Sequence, residues 1–158
     1  MTKTCLIKQP AGLGDIILCQ KIADLFIANG YKVVWPVVGE YISTVQKHMN
    51  KDGIYYCNES DDFPLKEYYH STHRSPLIVN DNEAYLPLQY SDLSYPGQSV
   101  LKAKFKIIGV DHSQWQHHFS FYRDIEREER LFYDTLKLKD DTQYAFVNMW
   151  YGSPPGQV

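Results

Sequence analysis

The sequence predicts an α/β domain of three layers, Rossmann-like, in which a mostly parallel sheet lies between helices. Short apolar runs alternate with segments in which apolar residues recur every three or four positions, as strands alternate with amphipathic helices in such folds. A strand, a helix and a second strand follow one another within residues 5–38, which is typical of a βαβ unit. The 158 residues have the length of one domain, and their 44% hydrophobic content is ordinary for a globular protein.

The first unit is the clearest. Residues 5–7 form a short apolar run that predicts a buried strand, and a helical pattern opens at Asp15. Asn29 and Gly30 are residues that tolerate a left-handed helix end, so the helix should stop there. Residues 31–38 then predict a second strand, parallel to the first and reached by a right-handed crossover.

The rest of the chain continues the alternation less regularly. We expect helices at 40–48 and 99–108, a strand at 53–57, a buried strand at 76–80, and a long, partly irregular loop over 81–96. Residues 58–74 carry no clear pattern. Beyond residue 113 we expect a charged amphipathic helix over 123–136, with Glu126 placed to pair with Arg130. A turn at 140–142, a last strand at 144–148 and a loop at 152–156 complete the prediction.

Composition excludes several classes of protein. The net charge of −3 and the scattered basic residues predict no nucleic-acid partner. No stretch approaches the ~20 apolar residues of a membrane span. Three cysteines without motif spacing predict reduced, buried thiols and a cytoplasmic protein. His70 and His73 have a spacing that can bind metal, but no further ligands accompany them, so we predict no metal site and no cofactor.

Physical considerations make the turn over residues 10–15 the candidate functional site. Gly12 and Gly14 let the backbone turn tightly, and the turn after a first parallel strand lies at the sheet edge where such folds bind ligands. Asp15 is placed either to cap the following helix or to act as a general base, two roles that compete for the same oxygens. A third glycine and a Gly-Lys-Ser/Thr sequence are both missing, so the turn is neither a dinucleotide fingerprint nor a P-loop. A capped turn without any ligand remains an open alternative.

Another candidate is the aromatic and histidine-rich stretch that holds Trp115, His117, His118 and Phe119. These side chains can pack beneath the charged helix or can line a cleft. Core packing is the simpler interpretation, because large aromatic side chains gain most from burial.

Residues 7–17 (IKQPAGLGDII), together with the helix that follows and the apolar residues 33–35, resemble the start of glycosyltransferase family 9 and the heptosyltransferases. The resemblance implies a GT-B architecture, in which the N-terminal Rossmann-like domain holds the acceptor and a C-terminal domain binds the nucleotide-sugar donor. In that family the first strand ends in a Gly-Asp turn whose aspartate is the proposed general base. Gly14 and Asp15 match this pair. The family's phosphate-binding and nucleotide-binding residues have no counterpart in this sequence.

The C-terminal part also resembles that family. Residues 115–136 are similar to the charged helix that precedes its second domain, and residues 144–153 to the first strand and glycine turn of that domain. We therefore expect an acceptor-side domain over 1–112, a helical segment over 113–141 that packs back or links, and the start of a truncated second domain over 142–158. A missing second domain or a partner chain would then supply the donor site.

The function implied is the acceptor side of an inverting, metal-independent glycosyltransferase. An acceptor hydroxyl would lose its proton to Asp15, and Lys8, Gly12, Leu13 and Gly14 would help to hold the ligands. Two alternatives stay open: a binding module for a nucleotide or sugar phosphate that does no chemistry, and a structural remnant without a ligand.

Overall fold

The computed structural model describes residues 3–89 and 99–145, and within them an α/β domain is built on one five-stranded sheet. The strand order is β3-β2-β1-β5-β4, with four parallel strands and an antiparallel β4 at one edge. This sheet is compatible with the predicted Rossmann-like fold. The strands are β1 (Lys3–Lys8), β2 (Tyr31–Val37), β3 (Ile54–Asn58), β4 (Leu77–Asn80) and β5 (Glu83–Pro87), and the helices are α1 (Leu13–Leu18), α2 (Gln20–Ala28), α3 (Gly39–His48), α4 (Lys66–Tyr69), α5 (Val100–Ile107) and α6 (Ile125–Glu129).

The predicted strand–helix–strand unit at the N-terminus is confirmed. β1 and β2 pair in parallel, with Leu6 opposite Val34 at the last register position. β2 contains Pro36, which lacks an N–H, yet β2 lies between two strands. It is tolerated because the pairing with β1 ends at Val34, so the proline falls beyond that ladder.

One face of the sheet carries most of the core. Side chains of β1, β2 and β5 at alternate positions, such as Ile7, Trp35 and Leu86, are fully or almost fully buried. Ile22 of α2, Val45 of α3 and Phe105 of α5 belong to the same buried cluster, so three segments of helix cover this face. The other face has a smaller cluster around Leu6 and Tyr85, covered by Tyr69 of α4 and by Phe63 and Leu65 of the loop before it.

The helix predicted to open at Asp15 begins two residues earlier and is interrupted. α1 starts at Leu13, and the regular pattern breaks at Cys19 before α2 continues to Ala28. The carbonyl of Cys19 accepts from both Ile22 and Ala23, so the backbone tightens locally. Gly30 has a φ of +83°, which is the left-handed conformation predicted for the helix end.

The expectations for residues 76–96 need two corrections. The strand at 76–80 is not buried, because β4 is an edge strand on which Ile78 is 63% exposed. The expected loop over 81–96 is wrong for its first part, where β5 pairs with β1 and buries Ala84, Tyr85 and Leu86. Pro87 made this segment look irregular, but it stands at the last position of the strand, where proline is tolerated. Residues 90–96 lie outside the described residues.

The chain divides into two compact units, Met1–Tyr122 and Arg123–Val158. In the second unit the predicted helix over 123–136 is a short α6 followed by a π-helical segment, Arg130–Thr135. Arg123 pairs with Glu128, and the expected pair of Glu126 with Arg130 is not among the ion pairs of the described residues. Tyr144 and Ala145 are not in a strand, and the rest of the predicted strand at 144–148 and the loop at 152–156 lie outside the described residues.

No helix of the described residues is long and apolar enough to cross a membrane. All three cysteines are free and buried, as the sequence predicts.

Candidate functional site

The glycine turn after β1 has a conformation that requires glycine at its first position. Gly12 has a φ of +80°, in the left-handed region that side chains disfavour. A Cβ at this position would also lie 2.8 Å from Oδ2 of Asp15, because that carboxylate folds back over the turn. A side chain at residue 12 would therefore strain the backbone and displace the Asp15 carboxylate from its position over the turn.

Asp15 lies in the first turn of α1 and is not its N-cap residue. Gly12 holds the N-cap position, and no side chain caps this end of the helix. The capping role suggested by the sequence is thus wrong in position, because the helix begins two residues earlier than the pattern indicated. The Asp15 side chain is 32% exposed, so its carboxylate is accessible at the surface of the turn.

A fully buried lysine stands behind Asp15. Lys104 of α5 has no exposed side-chain surface, and its Nζ donates to Oε1 of Gln9 and to the carbonyl oxygen of Leu88. The same Nζ lies 3.8 Å from Oδ1 of Asp15. A buried ammonium is unfavourable unless it is hydrogen-bonded and its charge is balanced. Gln9 and Leu88 accept hydrogen bonds from Lys104, and the Asp15 carboxylate lies close enough to form an ion pair with it.

Gln9 fixes the geometry of this cluster from two sides. Its Nε2 donates to the carbonyl of Ala11 at 2.6 Å, which orients the side-chain oxygen toward Lys104. Its backbone carbonyl accepts from Nε1 of Trp35 at 3.1 Å. The end of β1 is therefore tied both to the turn that follows it and to the neighbouring strand β2.

The cluster lies at the point where the order of the sheet changes direction. The chain passes from β1 to β2 and β3 on one side, and β5 and β4 lie on the other. Gln9 follows β1 and Leu88 follows β5, so Lys104 bridges the carboxyl ends of the two strands between which this change occurs. Open parallel sheets bind their ligands at such a switch point.

The charges of Lys104 and Asp15 also act on the buried thiol of Cys19. Burial raises the pKa of the Cys19 thiol to about 12, while the Lys104 charge acts to lower it and the Asp15 charge acts to raise it. The thiol stays protonated and inert at neutral pH, because the thiolate is the reactive form. Cys19 is thus a packing residue beside the site.

The other residues predicted for this site are placed differently. Leu13 is half-buried against the main core, and Gly14 is exposed with open space where a Cβ would stand. Lys8 extends from the sheet face that carries Leu6, and its Nζ lies 5.8 Å from the ring centroid of Tyr69. Of the predicted set, the structure brings Gly12 and Asp15 together over Lys104.

Sequence reasoning missed Gln9, Leu88 and Lys104. A lysine in an amphipathic helix normally faces solvent, so Lys104 gave no obvious signal. It does lie three or four residues from four apolar positions of the same helix pattern, Val100, Leu101, Ile107 and Ile108. A lysine in the middle of an apolar stripe is the sequence feature that could have indicated a buried Lys104.

The stretch around Trp115 forms a separate polar cluster. Trp115 begins a short 3₁₀ helix, Trp115–His118, and packs partly buried against the main core, whereas His117 and Phe119 are exposed. Nδ1 of His118 lies 2.8 Å from Oδ2 of Asp24, and Nζ of Lys51 lies 2.6 Å from Oδ1 of the same carboxylate. These contacts attach the segment after α5 to α2.

Comparison of the chain with models of known protein families, with curated proteins and with solved structures finds no match. Within the described ranges, no group of three or more His, Cys, Asp or Glu side chains is arranged to hold a metal ion.

Proposed function

We propose that this domain binds the acceptor of an inverting, metal-independent glycosyltransferase and that Asp15 is its general base. The observation that carries the proposal is the position of the Asp15 carboxylate. It is about one-third exposed, it lies at the switch point of the sheet, and it is held over Gly12 beside Lys104. A base needs a fixed, accessible carboxylate within reach of a bound hydroxyl.

The proposed reaction is a single displacement. The acceptor hydroxyl gives its proton to Asp15 while its oxygen bonds to the anomeric carbon of the donor sugar. The bond from that carbon to the nucleoside diphosphate breaks, and the diphosphate leaves with the electron pair, so the configuration at carbon inverts. A second domain or a partner chain binds the nucleotide-sugar donor in this proposal.

The charges around the turn favour an uncharged hydroxyl acceptor over an anionic ligand at this point. Lys104 is buried behind Asp15, and Lys8 extends over Tyr69. Ala11 and Gly14 are the exposed neighbours of the carboxylate within the turn, and neither carries a charge. A phosphate placed here would meet the negative charge of Asp15 first.

A second candidate function is a binding module without chemistry, and the same ion pair favours it. In this case the negative charge of Asp15 only balances Lys104, so the role of the carboxylate is structural. The switch point then binds a ligand without changing it chemically. Both candidate functions use a ligand site at the switch point, and they differ in whether the bound ligand loses a proton.

The decisive experiment is sugar transfer with and without the Asp15 carboxylate. The protein is purified through an affinity tag from its source cells, so that a donor-binding partner stays attached, and is given UDP-, GDP- and ADP-sugars with hydroxyl acceptors. Release of nucleoside diphosphate and the mass of the glycosylated acceptor are measured. Asp15→Asn should reduce the transfer rate by about 10²- to 10⁴-fold, the usual worth of a general base.

Asp62→Asn is the matched control, because Asp62 is an exposed aspartate in the loop before α4. It should transfer sugar at the wild-type rate. Equal rates for Asp15→Asn and wild type would refute the role of Asp15 as base. Saturable binding of an acceptor without any transfer would support the binding module instead.

A further inference from the structure

We infer that Lys104 is the positioning residue of this site: it fixes the Asp15 carboxylate over the glycine turn and joins the ends of β1 and β5 beneath it. The catalytic consequence rests on the proposed function, whereas the structural linkage does not. Lys104 does not touch solvent, so we expect it to act on a ligand through Asp15.

The geometry supports linkage between three separate parts of the chain. Gln9 belongs to the end of β1, Leu88 to the end of β5, and Asp15 to α1, and all three present oxygens to one Nζ atom. The oxygens of Gln9 and Leu88 are neutral and accept hydrogen bonds. Asp15 places a negative charge beside the fully buried ammonium, so the position of its carboxylate is coupled to that of the lysine.

The packing supports a fixed lysine. Ala103 and Phe105, the neighbours of Lys104 in α5, are buried against the sheet, and Ser99 caps the start of the helix by accepting from the N–H of Lys102. Phe105 belongs to the main core cluster, which holds the helix against the sheet. Because the helix is fixed and Nζ of Lys104 is hydrogen-bonded to Gln9 and Leu88, the ammonium offers the Asp15 carboxylate a positive charge at a defined position.

The first test is a double-mutant cycle on the 158-residue chain, followed by urea unfolding at neutral pH. Asp15→Asn leaves the buried ammonium without this counter-charge and should raise the unfolding equilibrium constant at least tenfold. In a Lys104→Met background the same change should raise it less than threefold, because the charge that needed balancing is gone. Additive effects of the two substitutions would overturn the linkage.

Amide NMR spectra test where the linkage acts. Lys104→Met should shift the resonances of Gly12, Gly14 and Asp15, which lie in the turn. Lys102→Met is the matched control, since Lys102 is exposed on the same helix, and it should leave those resonances unchanged. An unmoved turn in Lys104→Met, or an equal shift in both variants, would contradict the inference. If Lys104→Met does not fold, Lys104→Arg keeps the charge and is compared in the same way.

The final test separates positioning from general stability. In the sugar-transfer assay, Lys104→Met should lower kcat at least tenfold with less than a threefold change in KM for the donor, and Lys104→Arg should recover part of the loss. A change confined to KM would argue against positioning of the base. If the wild-type protein transfers no sugar, the proposed function fails, and the mutant cycle and the NMR spectra still decide whether Lys104 holds Asp15.

Discussion

Both units of the chain, Met1–Tyr122 and Arg123–Val158, have amphipathic helix patterns in their sequences, but the burial of the apolar faces differs. In the first, the apolar stripes of α2, α3 and α5 are buried against the sheet. In the second, the helix predicted over 123–136 has an apolar stripe of Ile125, Leu131, Phe132 and Leu136. Phe132 is partly buried, and the other three are about half exposed. Periodicity thus predicts which face of a helix is apolar, but burial also requires a surface for that face to cover.

The electrostatic pairs of the two units differ in the same way. The Lys104–Asp15 pair has a fully buried cation, whereas Arg123 and Glu128 pair on the surface of a short helical segment. Water screens the Arg123–Glu128 pair, but it does not reach the buried cation of Lys104. The burial of an ion pair, more than the chemistry of its two residues, determines how much the pair contributes to stability.

The largest effect should come from the centre of the first unit. Trp35 is fully buried, its ring centroid lies 5.7 Å from that of Tyr56, and its Nε1 donates to Gln9. Trp35→Ala should lower the free energy of unfolding by about 3–5 kcal/mol, through the cavity and the lost hydrogen bond. Urea unfolding measures it. Tyr55→Ala on β3, where the side chain is 57% exposed, is the control and should change stability little.

An intermediate effect should appear in alkali, and it belongs to the first unit because all three cysteines lie there. Burial raises the pKa of Cys19 from 9.0 to about 12 and that of Cys57 to about 11. Above pH 9 the unfolded chain loses thiol protons that the folded chain keeps, so stability falls as pH rises, by roughly 1 kcal/mol at pH 10 for Cys19.

Thermal unfolding from pH 7 to pH 10 checks this direction, and Cys19→Ala should flatten the decline. Thiol titration at pH 8 provides a second measurement. The native protein should react slowly with a thiol reagent and rapidly after denaturation. Fast reaction of all three thiols in the native protein would contradict the burial described for the first unit.

A smaller effect is expected where the first unit attaches its last segment. Asp24 accepts from Lys51 and contacts His118, and all three side chains are partly exposed. Asp24→Asn should cost about 1 kcal/mol of unfolding free energy after allowance for solvent screening. It should also speed proteolysis within residues 111–122. Asp111→Asn, at an exposed position in that segment, is the comparison and should not speed cleavage.

The smallest effect should come from the second unit. Arg123→Ala removes the pairing with Glu128, but both groups are exposed, so the unfolding temperature should not change measurably. A clear decrease on Arg123→Ala that Glu128→Gln reproduces would remove the contrast between the two units. Differential scanning calorimetry of the three proteins is sufficient.

Much of the sheet was predictable because local patterns determine it. β1, β2 and β3 are apolar runs bounded by turn residues, and α3 and α5 have clear periodicity. β5 was missed because its sequence contains Glu83 and ends at Pro87, and its burial depends on pairing with β1 far away in the chain. Pairing between distant strands leaves little trace in a local window.

The candidate site was predictable only in part, for the same reason. Gly12 and Asp15 lie in one turn, where spacing along the chain indicates proximity. Lys104 reaches that turn from 89 positions away, through the packing of α5 on the sheet, and Leu88 joins it from the end of a strand that the patterns missed. Contacts of that kind follow from the tertiary fold and not from any motif.

β4 has a consequence for how molecules of this protein meet one another. An exposed edge strand offers unpaired backbone groups to any other strand, and Ile78 adds an apolar side chain there. β4 has only four residues, and its register with β5 shifts between Ile78 and Asn80. The register shift interrupts the row of hydrogen-bonding groups along β4, so this edge of the sheet is a poor template for β-sheet aggregation.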